Sequence, residues 1–245
     1  MTPGAGLYPD GVNAAGRPHA IGSLGLAVVR DDQSTLLTAA HVVGALSEAA
    51  NGDGRIMYVA GFGGASSQDR YIGDVVVSDP ADAETTDVQL DAALVDPADN
   101  VFCRNVVRHN ATSCIARDVE ETADEDNPVI VHKRGWATGS TSGLLVPVPE
   151  ALEVEGRMPD GSTVVREYLR GYFVYGDDCP FAKPGDSGSI VVDDDECVVG
   201  MVVALRANKP DNVQAEDPAF VVPILDIIDG LGIVLAGPSR QCTLV

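Results

Sequence analysis

Apolar residues in this chain come in short runs, at 21–30, 35–40, 55–60, 71–77, 92–95, 128–131, 144–148, 164–169, 172–175, 190–192 and 197–205, with Gly, Asp, Asn or Pro between them. Short runs bounded by turn formers read as strands. With 26 Gly, 15 Pro and only 5% aromatic residues, the chain suits many short strands whose cores are built from Val, Ile, Leu and Ala. Residues 31–34 turn a first hairpin that ends at His41, residues 42–50 suit a short helical turn, and 51–54 (Asn-Gly-Asp-Gly) mark another turn before a flexible loop at 61–67. One stretch has helical spacing instead: Val221, Ile224, Leu225, Ile228 and Leu231, with Pro223 suiting a first turn and Gly230 and Gly232 the end.

The organisation that follows is an arm at 1–20 with little structure of its own, a first closed or half-closed barrel at 21–115, a connector at 116–127, a second half at 128–220, and a helix and tail at 221–245. The connector is acidic. It carries Asp118, Glu120, Glu121, Asp124, Glu125 and Asp126, opposed only by Arg117.

A net charge of −21 and a pI near 4.2 argue against nucleic-acid and anionic-membrane partners, since phosphate binding needs clustered Lys and Arg. No run of 18 apolar residues exists, and residues 1–18 lack a basic region followed by an apolar stretch, so the expected location is the cytoplasm, with secretion the alternative. The five cysteines, Cys103, Cys114, Cys179, Cys197 and Cys242, show no Cys-x-x-Cys spacing, so no zinc site is expected; no cofactor is expected either. Reduced thiols suit this setting, with a Cys103–Cys114 bridge the alternative in an oxidising one. The acidic turn at 193–196 lacks the alternating ligand spacing of a calcium loop.

Chemistry concentrates at Lys183-Pro184-Gly185-Asp186-Ser187-Gly188-Ser189, a glycine-rich turn leading into the strand at 190–192. Two glycines flanking Asp-Ser let the backbone turn sharply, present a hydroxyl and aim successive N–H groups into one concavity. A serine is a poor nucleophile unless a base takes its proton and a third group fixes the base's tautomer. Of four histidines, His41 ends a strand behind two alanines, whereas His19, His109 and His132 lack that setting. For the carboxylate, Asp91 precedes the apolar run at 92–95. Asp87 is the fallback, and Asp96 before Pro97 reads as a turn residue.

The Gly-Asp-Ser-Gly-Ser stretch, the Ala-Ala-His stretch ending at His41 and the Asp-Ala-Ala-Leu stretch from Asp91 resemble the three motifs of trypsin-like, chymotrypsin-fold serine peptidases, in the same chain order. The resemblance implies an all-β fold of two six-stranded antiparallel barrels packed across a cleft with a C-terminal helix. His41 and Asp91 would come from the first barrel and Ser187 from the second. It also implies an oxyanion hole at Gly185, Asp186 and Ser187, made by the N–H groups of Gly185 and Ser187.

In many trypsin relatives the acid matching Asp186 is held by a new N-terminus, but this chain begins Met1-Thr2-Pro3. The segment from His132 to Gly139 is similar to the basic segment of bacterial streptogrisin-like and α-lytic-type peptidases. By that likeness Lys133 first, or Arg134 second, would pair with Asp186. A specificity pocket walled by Phe181, Lys183, Val203, Ala204 and Leu205 would hold no acid at its base and favour a small or apolar side chain. Asp177 and Asp178 could add a basic preference at the rim, or Lys183 an acidic one.

The resemblance implies a serine endopeptidase acting on a polypeptide. The alternative is a chymotrypsin-fold protein that only binds peptide, or that depends on a regulatory protein or fused domain for activity, and a non-peptidase hydrolase is a third reading.

Overall fold

Val-rich runs pleat into strands because branched side chains pack well on a half-buried sheet surface. The computed structural model describes residues 1, 3–9, 21–43, 55–58, 70–78, 90–99, 101, 103, 105–107, 115–119, 123, 126–148, 152–157, 163–168, 170–206 and 217–236. Its first half contains β1 (Gly6–Pro9), β2 (Gly22–Ser23), β3 (Ala27–Arg30), β4 (Gln33–Ala39), a 3-10 helix (Ala40–Val43), β5 (Arg55–Tyr58), β6 (Arg70–Ser78) and β7 (Ala92–Pro97). The second half contains β8 (Val129–Gly135), β9 (Gly139–Pro147), β10 (Leu152–Arg157), β11 (Thr163–Tyr168), β12 (Tyr172–Gly176), β13 (Ile190–Asp193), β14 (Val198–Leu205) and β15 (Ala219–Pro223). Helix α1 (Ile224–Leu231) and β16 (Val234–Leu235) follow.

The second half closes as the expected six-stranded barrel, in the order β12-β15-β14-β13-β8-β9, with β10 and β11 as a separate ribbon. The first half is an eight-stranded sheet, β16-β3-β4-β7-β6-β5-β1-β2. Its two additional strands come from outside 21–115. Gly6–Pro9, within the stretch expected as an arm with little structure of its own, pairs with β2 and β5, and Val234–Leu235 returns from the tail to pair with β3. The described residues among 101–107 form no strand. There the Asn105 amide stands in for one, accepting from the Ala27 N–H and donating to the Ala27 carbonyl, each at 2.9 Å.

Local chemistry explains the turns. Arg30 pairs with Gln33 across a two-residue loop in which Asp31 (φ 49°) and Asp32 (φ 61°) are both left-handed, as the twist of such a hairpin demands. Helix α1 ends on Gly232 at φ 61°, whose N–H bonds back to Ile228. The apolar face of α1 is largely the one the spacing predicts: Ile224 and Leu231 are buried and Ile228 packs against the core, whereas Leu225 is exposed, Ile227 takes its place, and Val221 lies in β15. Turns and loops expected at 51–54 and 61–67, and most of the helical turn at 42–50, lie outside the described residues, as do Cys114 and Cys242. Cys103 and Cys197 are buried thiols and Cys179 an exposed one.

Strand β15 sorts its side chains between two cores. Ala219 and Val221 point into the second barrel beside Val131, Val174 and Val191, whereas Phe220 and Val222 join a cluster that runs through the first sheet and the interface. The connector is fastened rather than free. Arg117 reaches Asp193 (2.5 Å) and Asp195 (2.9 Å), and Asp118 accepts from the Tyr172 hydroxyl at 3.0 Å. Burial pushes the Tyr172 phenol well above its ordinary value, and the neighbouring Asp118 carboxylate adds to the effect.

A phenol raised in this way keeps its proton in the native state after the unfolded chain has lost it. The unfolded state then binds fewer protons, so stability falls as pH rises above about 10. Chemical denaturation between pH 9 and 11 should show the native chain losing up to about 1.4 kcal/mol per pH unit more than Tyr172→Phe. Parallel curves for the two proteins would contradict the burial of this group.

Candidate active site

Small side chains let β4 and β7 end close together: Ala39 lies opposite Ala92, and both are fully buried along with Ala40. The 3-10 helix then lifts His41 out of the sheet beside Asp91. The Ala40 N–H donates to the Asp91 carbonyl at 2.9 Å, and the His41 N–H donates to Asp91 Oδ1 at 2.9 Å. Asp91 Oδ2 lies 2.7 Å from His41 Nδ1. A carboxylate accepts, so Nδ1 carries the proton and Nε2 keeps its lone pair. Asp91 is buried, and it holds this position at φ 49°, a left-handed conformation uncommon for a residue with a side chain. Asp96 is exposed on β7, and Asp87 lies outside the described residues, as do His19 and His109.

The Ser187 segment lies against the end of the strand leading to His41. The Ser23 N–H donates to the Ser187 carbonyl at 2.7 Å, and Gly188 (φ 91°) fits where a Cβ would stand 2.2 Å from the Ser23 carbonyl oxygen and 2.6 Å from Thr38 Oγ1. Gly22 touches both Val42 and the Ser187 carbonyl. His41 and Ser187, 146 positions apart in the chain, are thereby set on adjoining segments. No hydrogen bond joins the His41 ring to the Ser187 hydroxyl in this conformation. The Asp186 N–H bonds to the Lys183 carbonyl and the Ser189 N–H to the Asp186 carbonyl, each at 2.9 Å. The N–H groups of Gly185 (φ 104°) and Ser187 donate to no described residue.

Asp186 has no exposed surface, and its carboxylate is fully engaged. Oδ1 accepts from the N–H groups of Ala137 (2.8 Å) and Thr138 (3.2 Å). Oδ2 accepts from the Thr138 hydroxyl (2.7 Å), the Lys183 N–H (3.0 Å) and Lys133 Nζ (3.2 Å). Strand alternation chooses between the two cations: Lys133 points inward beneath the Phe181 ring, 5.6 Å from its centroid, and Arg134 is exposed. Burial lowers the Lys133 pKa, and the Asp186 charge opposes that shift. Gly135 is required here, because a Cβ would stand 2.2 Å from Asp186 Oδ1.

Ser23, which the sequence marks only as a strand residue, completes the site. It is fully buried, accepts from the Trp136 N–H at 2.9 Å and donates to the Gly185 carbonyl at 2.9 Å. It thus turns that carbonyl away while the Gly185 N–H stays unengaged. Phe181 is buried in the second barrel core, Val203 is buried, Ala204 and Leu205 are half-buried, and Lys183 is exposed. A cavity of ≈ 390 Å³ lies elsewhere, between β8, β9 and residues 177–179, and none of those five residues lines it.

No protein-family model and no curated protein matches the chain. Solved structures do. The chain is similar to a glutamic-acid-specific serine protease described as using a histidine triad in substrate binding, at 15% identity over 96% of this chain and 100% of the other, with TM-score 0.58. It is similar to Thermobifida fusca protease A at 16% identity over 97% and 100%, TM-score 0.56, and to a Nocardiopsis protease at 17% identity over 96% and 98%, TM-score 0.55. These neighbours are serine proteases, and the architecture they share with this chain is the chymotrypsin fold.

Removing the cation from beneath Asp186 leaves a buried charge uncompensated. Lys133→Met should therefore cost about 3–5 kcal/mol in urea unfolding, and Arg134→Met should stay within about 0.5 kcal/mol of the parent. Equal losses from the two substitutions would refute the assignment.

Proposed function

We propose that this chymotrypsin-fold chain is a serine endopeptidase that cleaves peptide bonds through an acyl-enzyme. The observation that carries this reading is the 2.7 Å contact from Asp91 Oδ2 to His41 Nδ1, made beside a docked Ser187 loop. With Nδ1–H bound to the carboxylate, His41 Nε2 is the free base that takes the Ser187 proton as its oxygen attacks the scissile carbonyl. Asp91 stabilises the imidazolium that forms. The developing oxyanion is received by the N–H groups of Gly185 and Ser187, which the Asp186 clamp and Ser23 hold in place. His41 returns the proton to the departing amine, and water then hydrolyses the ester. Unliganded sites often leave the serine–histidine contact open and tighten it on substrate. The half-buried Ala204 and Leu205, with no carboxylate among the pocket residues, support a small or apolar side chain before the scissile bond.

One observation favours a second reading: the ring and the Ser187 hydroxyl are not hydrogen-bonded, as suits a protein that only binds peptide or one activated by a partner.

Two measurements separate the readings. A fluorophosphonate adduct should map to Ser187, and hydrolysis of a mixed peptide library should fall at least about a thousandfold in both Ser187→Ala and His41→Ala. Absence of both the adduct and cleavage in the native chain would overturn the endopeptidase reading in favour of the second.

A further inference from the structure

We propose that Ser142, remote in sequence from the Ser187 site, is a second nucleophile: a modification site that takes an acyl group from a small activated ester. Strands β8 and β9 pair with His132 directly opposite Ser142. Ser142 Oγ lies 2.8 Å from His132 Nδ1, and His132 Nε2 lies 2.9 Å from Asp194 Oδ1 in the turn between β13 and β14. Because the carboxylate only accepts, the neutral imidazole carries its proton on Nε2 and offers the Nδ1 lone pair to the Ser142 O–H. Carboxylate, imidazole and hydroxyl stand in the order that activates a serine, with the two ring nitrogens exchanged relative to the His41–Asp91 pair.

The three groups are held on rigid elements. His132 and Ser142 are cross-strand neighbours in a closed barrel, and the His132 side chain is only 10% exposed. The turn bearing Asp194 is fixed from its neighbour: Asp193 Oδ1 accepts from the N–H groups of Asp195 and Cys197, each at 2.9 Å, and Asp193 Oδ2 meets Arg117. Ser142 is exposed, and with His132 it lines the ≈ 390 Å³ cavity alongside Ser140, Asp177, Asp178 and Cys179. A cavity of that size suits a small organic molecule. The exposed carboxylates of Asp177 and Asp178 disfavour anionic groups, so the donor class is a neutral or cationic ester with a good leaving group.

In the reaction the Ser142 Oγ–carbonyl carbon bond forms and the bond from that carbon to the leaving alcohol breaks. The hydroxyl proton moves to His132 Nδ1 and from there to the departing alkoxide. The products are an O-acyl serine and the free alcohol.

The test uses the full-length Ser187→Ala chain with p-nitrophenyl acetate, read by nitrophenolate release and by peptide mapping of the acetyl group. Acetyl should appear on Ser142. Its rate of formation should fall about a hundredfold in a further His132→Gln variant and at least about tenfold in Asp194→Asn, whose exposed position spares the barrel core. Asp194→Glu should restore most of the rate, which a merely structural role for Asp194 would not require. An unmodified Ser142, or a rate unchanged by either His132→Gln or Asp194→Asn, overturns the proposal. The outcome is independent of whether Ser187 is catalytic.

Discussion

A carboxylate without solvent contact organises the working part of this molecule. Taking a charge out of water costs several kcal/mol, and a nearby opposite charge compensates only when the remaining lone pairs are also satisfied. Asp186 meets that condition with donors from three different segments: the backbone at 137–138, the Thr138 hydroxyl, the Lys183 N–H and Lys133 Nζ. Each donor constrains the others. The β8–β9 turn and the serine loop consequently behave as one piece, and the conformation of Gly185 is a property of that piece rather than of the loop sequence alone.

That piece must still meet the first half of the chain with enough accuracy to set Ser187 near His41. Part of the contact is made by backbone and very small side chains, and the Trp136 ring lies against Gly6. Gly188 fits under the Ser23 carbonyl, Gly25 approaches the Gly188 carbonyl, and Ser23 ties the Trp136 N–H to the Gly185 carbonyl through one hydroxyl. Close backbone approach leaves little room for sliding. Close packing of this kind transmits displacement rather than absorbing it, which is how a first-half serine comes to influence a second-half glycine.

Much of this was legible in the residues, and what was not is instructive. The strand pattern and the motifs around His41 and Ser187 are local, so they survive being read one segment at a time. The choice between Lys133 and Arg134 is not local, because it depends on which face of β8 turns inward. Asp91, by contrast, was legible from the apolar run that follows it, and the register that sets Ala39 opposite Ala92 then brings it to His41. Residues 6–9 have little strand propensity of their own, and they become a strand because β5 and β2 offer them backbone partners. Ser23 bonds across 162 positions to Gly185, and no pattern in its own neighbourhood foretells that. Helix α1 turns Ile224, Ile228 and Leu231 to the core as its spacing suggested, but it begins later than expected because β15 extends through Pro223 and claims Val221.

The last two-residue strand has a consequence for how the chain keeps to itself. β3 would otherwise end the sheet with a row of unpaired amides flanked by valines, the kind of border that recruits another copy into intermolecular β-pairing. Val234 and Leu235 occupy that border opposite Val29 and Val28, and Asn105 blocks the next position by gripping Ala27. The β3 border is thereby covered by a strand of only two residues, the short kind of edge that offers little template for pairing, and helix α1 is the tether that delivers it.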